Sequence, residues 1–159
     1  MTTFEMVSNS PEETRAIGRV IGAALAPGDV IALCGELGAG KTQLTKGLAV
    51  GLGVADERAV SSPTFVLENE YAGRCVMRHL DLYRLGDGAD LSALGFEEMC
   101  DGSAVVIVEW ADRARAAMPA GAVWIEMTAE GETTRRLRIS GTGEPARRVA
   151  AELRMANGE

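Results

Sequence analysis

Gly35-Glu36-Leu37-Gly38-Ala39-Gly40-Lys41-Thr42 fits the pattern G-x-x-x-x-G-K-[ST]. Glycines let successive backbone N–H groups converge on phosphate oxygens, and a helix opening at the end of the loop adds the positive end of its dipole. Lys41 supplies a mobile point charge for the β- and γ-phosphates, and the Thr42 hydroxyl is placed to ligate a magnesium ion bridging them. The ligand this chemistry calls for is ATP with Mg2+. Lys41 and Lys46 are the only lysines, every other basic position being arginine, so a chain biased toward arginine keeps the residue the loop requires.

Two carboxylates could serve the metal. Glu109 closes the apolar run Val105-Val106-Ile107-Val108, where P-loop proteins usually carry a metal-directing acid, although Asp is commoner there. Asp81 closes Val76-Met77-Arg78-His79-Leu80 and could hold a metal-bound water or orient the attacking one; a lone strand-end Asp more often caps a turn. His79, the sole histidine, is tempting as a general base, but one histidine in a strand is more often a hydrogen-bonded structural residue. Trp110 could stack on a base or ribose, or simply pack. Ser62-Pro63-Thr64 offers hydroxyls on a rigid turn that could sense a γ-phosphate; a plain turn is the simpler expectation. Arg113, Arg115, Arg135, Arg136 and Arg138 read as solvated, so spacing picks out no arginine finger.

The elements that must position these groups follow from hydrophobic pattern and punctuation. Val30–Cys34 is a continuous apolar run of buried-strand type, and Leu44, Leu48 and Leu52 recur at helical spacing after the loop, with Gly53 as a stop. Upstream, a strand is expected over Phe4–Val7, then a helix capped at Ser10, with Pro11 first and Glu13 completing a capping box, running to about Leu25. Phe65-Val66-Leu67 and Cys75–Leu82 read as a hairpin turning near Gly73. Asp90–Cys100 is short and helical at best, Ala104–Val108 is another buried strand, and Ala111–Met118 is expected to be helical. Val123–Met127 and Arg136–Ile139 form an antiparallel pair about Glu130-Gly131, and Pro145 starts a closing helix. The fold class is α/β: a P-loop NTPase-like three-layer fold with a mixed parallel/antiparallel central sheet.

With 159 residues, one domain over 1–155 is expected, with 156–159 a frayed tail. A net charge of −7 argues against a broad nucleic-acid footprint, leaving any RNA contact to a larger assembly. Cys34, Cys75 and Cys100 are odd in number and lack C-x-x-C spacing, which favours structural free thiols. Neither a secretory leader nor a bilayer-length apolar run is present, so the expectation is a cytoplasmic protein without a membrane partner.

The absence of N-K-x-D speaks against a GTPase. Small-metabolite kinases of this size usually begin with the loop strand, whereas a strand and helix come first here. Gly35–Thr42, Ser62-Pro63-Thr64-Phe65, His79-Leu80-Asp81-Leu82-Tyr83-Arg84 and Val108-Glu109-Trp110, in this order and spacing, resemble the TsaE (YjeE) family over nearly the whole chain. The resemblance implies a bacterial ATPase that supports the TsaD–TsaB heterodimer in making threonylcarbamoyladenosine beside the anticodon, meeting tRNA through the complex with little direct binding. It further implies that Glu36, Leu37, Gly38, Ala39, Gly40, Lys41, Thr42 and Gln43 cradle the nucleotide. Thr42, Asp81 and Glu109 then serve metal and water, and Lys41, Asp81 and Glu109 are the catalytic set. Ser62, Pro63, Thr64 and Phe65 become a switch-like segment and Trp110 functionally important. Thr14 and the turn from Gly131 to Arg136 match positions near the nucleotide. Slow hydrolysis by the isolated chain is expected, because no water-orienting glutamine or cis arginine is assignable. A small-molecule kinase and a nucleotide-gated binding module are the alternatives.

Overall fold

The computed structural model describes residues 1–36, 38–55, 60, 68–85, 88 and 90–159. Their order is β1 (Thr2–Ser8), α1 (Pro11–Ala24), β2 (Val30–Cys34), α2 (Lys41–Gly51), β3 (Glu68–Ala72), β4 (Val76–Asp81), α3 (Phe96–Met99), β5 (Ala104–Glu109), β6 (Val123–Ala129), β7 (Arg135–Gly141) and α4 (Glu144–Ala156), with 3-10 turns at Ser92–Leu94 and Ala111–Ala117. Seven strands form one sheet in the order β1-β7-β6-β2-β5-β4-β3. The inner four, β6, β2, β5 and β4, run parallel, while β7 and β3 are antiparallel to their inner neighbours. The mixed α/β sheet is as the sequence implies.

The inner strands are apolar on both faces because both faces are covered. Along β2 and β5, Ile31, Leu33, Val105 and Ile107 pack with Ile17, Ile21, Leu44, Leu48 and Leu153 of α1, α2 and α4. Val30, Ala32, Val106 and Val108 point the other way, against Leu91, Phe96, Ala114 and Met118. This period-two division sets which strand-end side chains can face the head of α2.

α1 begins as its sequence dictates: the Ser10 hydroxyl accepts from Glu13 N–H at 3.1 Å, and the Glu13 carboxylate accepts from Asn9 N–H at 2.6 Å. α1 and α2 run side by side on a seam of glycines. A Cβ on Gly47 would lie 2.2 Å from the Arg15 carbonyl oxygen, and one on Gly18 2.5 Å from that of Leu44. No side chain fits there, so α2 is held rigidly against α1 while its N-terminus projects toward the sheet. Arg74, in the β3–β4 turn, fastens the far ends: its N–H donates to Leu52 O at 2.8 Å, and its guanidinium to Gly22 O at 2.8 Å, where it joins the Leu25 N–H. α4 is tied in by Arg148, which donates to the Ala24 carbonyl and reaches buried Asp29 at 3.2 Å.

The hairpin expected around Gly73 is present, but its described first strand is Glu68–Ala72. Phe65–Leu67 lie outside the described residues. Glu68–Ala72 is an edge strand with no fully buried residue, so it lacks the alternation by which a strand announces itself.

Candidate active site

β2, β5 and β4 are neighbours, and their carboxyl ends align: Leu33 pairs with Glu109, and Glu109 with Asp81. The phosphate loop leaves β2 directly beyond this row. Glu109 continues the face of Val105 and Ile107, and Asp81 that of Met77, so both acids stand on the α2 side of the sheet. In an open α/β sheet this crevice beyond the strand ends is where ligands bind.

Gly40 precedes α2 at φ 96°, a left-handed conformation that glycine adopts without a Cβ penalty, and no side chain caps the helix. The first N–H groups of α2 are therefore not taken by a cap and suit an anion. Lys41 opens the helix and is only 6% exposed. Its Nζ donates to the carbonyls of Gly35 and Glu36, the latter at 3.2 Å, and lies 3.9 Å from the Trp110 ring centroid. Burial lowers the ammonium's pKa, while Glu109 and then Asp81 oppose that shift with their charges. Burial likewise raises the Asp81 carboxyl, offset in part by the Tyr83 N–H that donates to Oδ1 at 2.9 Å. Asp81 thus does what a strand-end Asp usually does, capping a turn, and also stands beside the lysine.

Trp110 is held at φ 58°, ψ 37°, the one described non-glycine residue with positive φ. A bulky side chain in this conformation stores strain, and such strain gathers at functional positions. It places the ring between Lys41 and Tyr83, whose centroid is 5.1 Å away, with Arg113 5.2 Å from the Trp110 centroid. Arg113 also donates to Leu85 O at 2.8 Å, so it is not merely solvated.

Other positions fall less directly on the lysine. Gln43 turns its side chain to α1, where its amide oxygen accepts from Arg15 at 2.5 Å. The Thr14 hydroxyl, at the same end of α1, is 2.7 Å from that of Ser8 and bonds Ser10 O at 3.3 Å. Gly131 lies in the β6–β7 turn, which Arg135 ties to the loop, donating to Gly131 O at 2.8 Å and Gly38 O at 3.0 Å. That role for Arg135 is invisible in the sequence, since the contact spans 97 residues. Leu37, Ser62, Pro63, Thr64 and Phe65 lie outside the described residues. The three thiols are free, and burial pushes that of Cys34 up to about 11, which makes it inert as a nucleophile.

Among the described residues no three or more His, Cys, Asp or Glu side chains gather as a metal cage. Magnesium does not require one, since it usually takes one or two carboxylates, waters and substrate phosphates. Asp81 and Glu109, adjacent across two strands beside an uncapped helix N-terminus, fit that pattern.

A parallel strand, a glycine-bearing loop and a lysine heading the next helix, with acids at the two neighbouring strand ends, define an α/β protein of the P-loop class. The model of the family described as "Threonylcarbamoyl adenosine biosynthesis protein TsaE" matches residues 8–137, and the chain belongs to the TsaE family. It is 39% identical over 145 residues to the tRNA threonylcarbamoyladenosine biosynthesis protein TsaE of Bacillus subtilis, a match covering 91% of this chain and 89% of the relative. With the protein of the same name from Treponema pallidum it shares 37% identity over 134 residues, covering 84% and 98%. The crystal structure of YdiB from Bacillus subtilis superposes with a TM-score of 0.80 at 31% identity, over 98% of this chain and 97% of that one.

Proposed function

We propose that this chain is a magnesium-dependent ATPase subunit that supports turnover of the TsaD–TsaB machinery installing threonylcarbamoyladenosine next to the tRNA anticodon, in the cytoplasm. The observation that carries the reading is the buried Lys41 at the phosphate loop, faced by Glu109 and Asp81 from adjoining strand ends. The names of its relatives supply the pathway.

In this mechanism the loop N–H groups and the α2 N-terminus bind the β- and γ-phosphates, and Lys41 swings from the Gly35 and Glu36 carbonyls onto them. Thr42 and Glu109 would hold magnesium, and Asp81 would hold one of its waters or orient the attacking water. Magnesium, when bound, neutralises charge that develops between the β- and γ-phosphates. Water attacks the γ-phosphorus in line, the bond to the β–γ bridging oxygen breaks, and ADP and phosphate leave. Asp81 is suited to accept a proton from that water, since burial has already raised its affinity for one.

Two features favour slow hydrolysis by the isolated chain. Lys41 must give up two carbonyls and the Trp110 ring before it can serve phosphate. Arg135, which touches the loop, is committed to the carbonyls of Gly38 and Gly131. A partner that draws Trp110 aside or supplies a cation would accelerate the reaction.

The test is binding of ATP with magnesium, followed by phosphate release without any small acceptor. The reading expects binding and slow release in the wild type, and binding without release in Glu109→Ala. ADP formation that requires a small acceptor, with the phosphoryl group carried onto it and no free phosphate, would make the chain a kinase, and binding with no turnover under any condition would make it a nucleotide-gated module.

A further inference from the structure

His79 lies on β4 one pleat before Asp81, on the same face of the sheet, and pairs in register with Ile107, two residues before Glu109. Its ring is 1% exposed, and Nε2 stands 2.5 Å from Glu109 Oε2. We propose that His79 is a positioning residue: its Nε2–H fixes the orientation of the Glu109 carboxylate, the group that would hold magnesium. The inference rests on the magnesium-nucleotide reading of the site and names a further residue on which that reading depends.

Three observations carry it. First, both side chains are buried, so the contact does not compete with bulk water, and a short hydrogen bond to a carboxylate in such surroundings is strong and directional. Second, the ring has one partner: Nδ1 is buried and without a hydrogen bond among the described residues. A ring with its proton on Nε2 makes that contact and asks for no donor at the buried Nδ1. The opposite tautomer would bury an unpartnered N–H and set the Nε2 lone pair against a carboxylate oxygen, two faults at once. Third, Glu109 closes β5 on the face of the sheet that carries Lys41, so the histidine contact bears directly on the acid beside the lysine. Residues that hydrogen-bond a metal's ligand orient it, and losing one typically costs 10–100-fold in metal affinity or activity.

The contact was not legible as chemistry in the sequence. A histidine inside an apolar strand reads as structural, and the description is correct as far as it goes; what the fold adds is the identity of the partner.

Because His79 is the only histidine, nitrogen-15 NMR of the uniformly labelled free chain reports its ring without ambiguity. The expected result is a ring that carries a proton on Nε2, whose N–H signal changes in Glu109→Ala. A ring protonated at Nδ1 alone, or one averaging between tautomers, overturns the proposal. The second arm titrates magnesium against each chain with a fluorescent ATP analogue, taking the ratio of analogue affinity with and without the metal. His79→Gln keeps an N–H near the Nε2 position, whereas His79→Met has similar bulk and no donor. Magnesium is expected to enhance binding to His79→Gln as it does to the wild type, and to lose about 10–100-fold of its affinity for the His79→Met complex. Equal losses in the two variants, or none in either, show a packing role and overturn the proposal. A wild type whose nucleotide binding ignores magnesium overturns the reading of the site and the purpose given to the contact together; the ring signal in the free chain then still tells whether the contact exists.

Discussion

The two ends of α2 use glycine for opposite purposes. Along its body, Gly47 and Gly51 exist so that nothing projects: α1 backbone stands where their Cβ atoms would be, at 2.2 Å and 2.4 Å. In the loop that leads into it, a Cβ on Gly38 would meet nothing within 4 Å. There glycine serves a left-handed φ of 80° and leaves room for a ligand to approach backbone N–H groups. The seam gives α2 a fixed position, and the loop spends that rigidity on aiming its first N–H groups and Lys41 at the ends of β5 and β4. Substitutions at the seam should therefore cost stability and those in the loop binding.

Gly47→Ala tests the seam most severely. A methyl at 2.2 Å from the Arg15 carbonyl forces the helices apart, which should cost about 3 kcal/mol or more and lower Tm by roughly 6–12 °C in thermal unfolding followed by circular dichroism. Gly38→Ala is the matched change in the loop. It should cost only about 1–2 kcal/mol, from left-handed backbone strain, yet abolish detectable nucleotide binding by calorimetry. If Gly47→Ala kept its Tm, the division of roles would fail.

Lys41→Ala sharpens the binding side. Loss of a charged donor to phosphate should weaken ATP affinity by roughly 100-fold. The fold should keep or gain stability, because burial disfavours the ammonium it loses. An equal fall in both would mean that Lys41 is structural.

How much of this was visible in the chain follows from how local each cause is. The Ser10 cap and the span of β2 are written in a few consecutive residues, and both are found where the sequence puts them. The loop, Asp81 and Glu109 are legible because strand ends and a loop motif have positions as well as types. Arg135 on Gly38 and His79 on Glu109 are side-chain meetings across distant segments, and no spacing rule contains them. Glu68–Ala72 is obscured for a third reason, since an edge strand with little burial carries little hydrophobic signal.

Asp81→Asn should show the compromise between the two regions in one residue. The Asp81 carboxyl is raised above its ordinary range by burial, so the folded state binds more protons than the unfolded one between the two pKa values. Stability contributed there falls as pH rises through that window, and remains diminished at neutral pH. Asp81→Asn should flatten that dependence and unfold at an equal or slightly higher temperature at pH 7, while losing phosphate release. A variant less stable at pH 7 than the wild type would contradict the assignment.

The smallest effect is optical. ATP with magnesium should draw Lys41 from the Trp110 ring and shift tryptophan emission by a few nanometres at most, a change absent from Trp110→Phe although Trp124 remains. Emission that responds equally in Trp110→Phe would place the reporting motion elsewhere.

Buried Lys41 and Glu109, with half-buried Asp81, are proposed to form an ATPase site that a partner completes. Phosphate release from magnesium-ATP, measured for this chain alone and with its own TsaD–TsaB pair, tests it most directly. A slow rate alone, strong stimulation by the pair and loss of both in Glu109→Ala are expected. A rate that the pair leaves unchanged, or that survives Glu109→Ala, would contradict it.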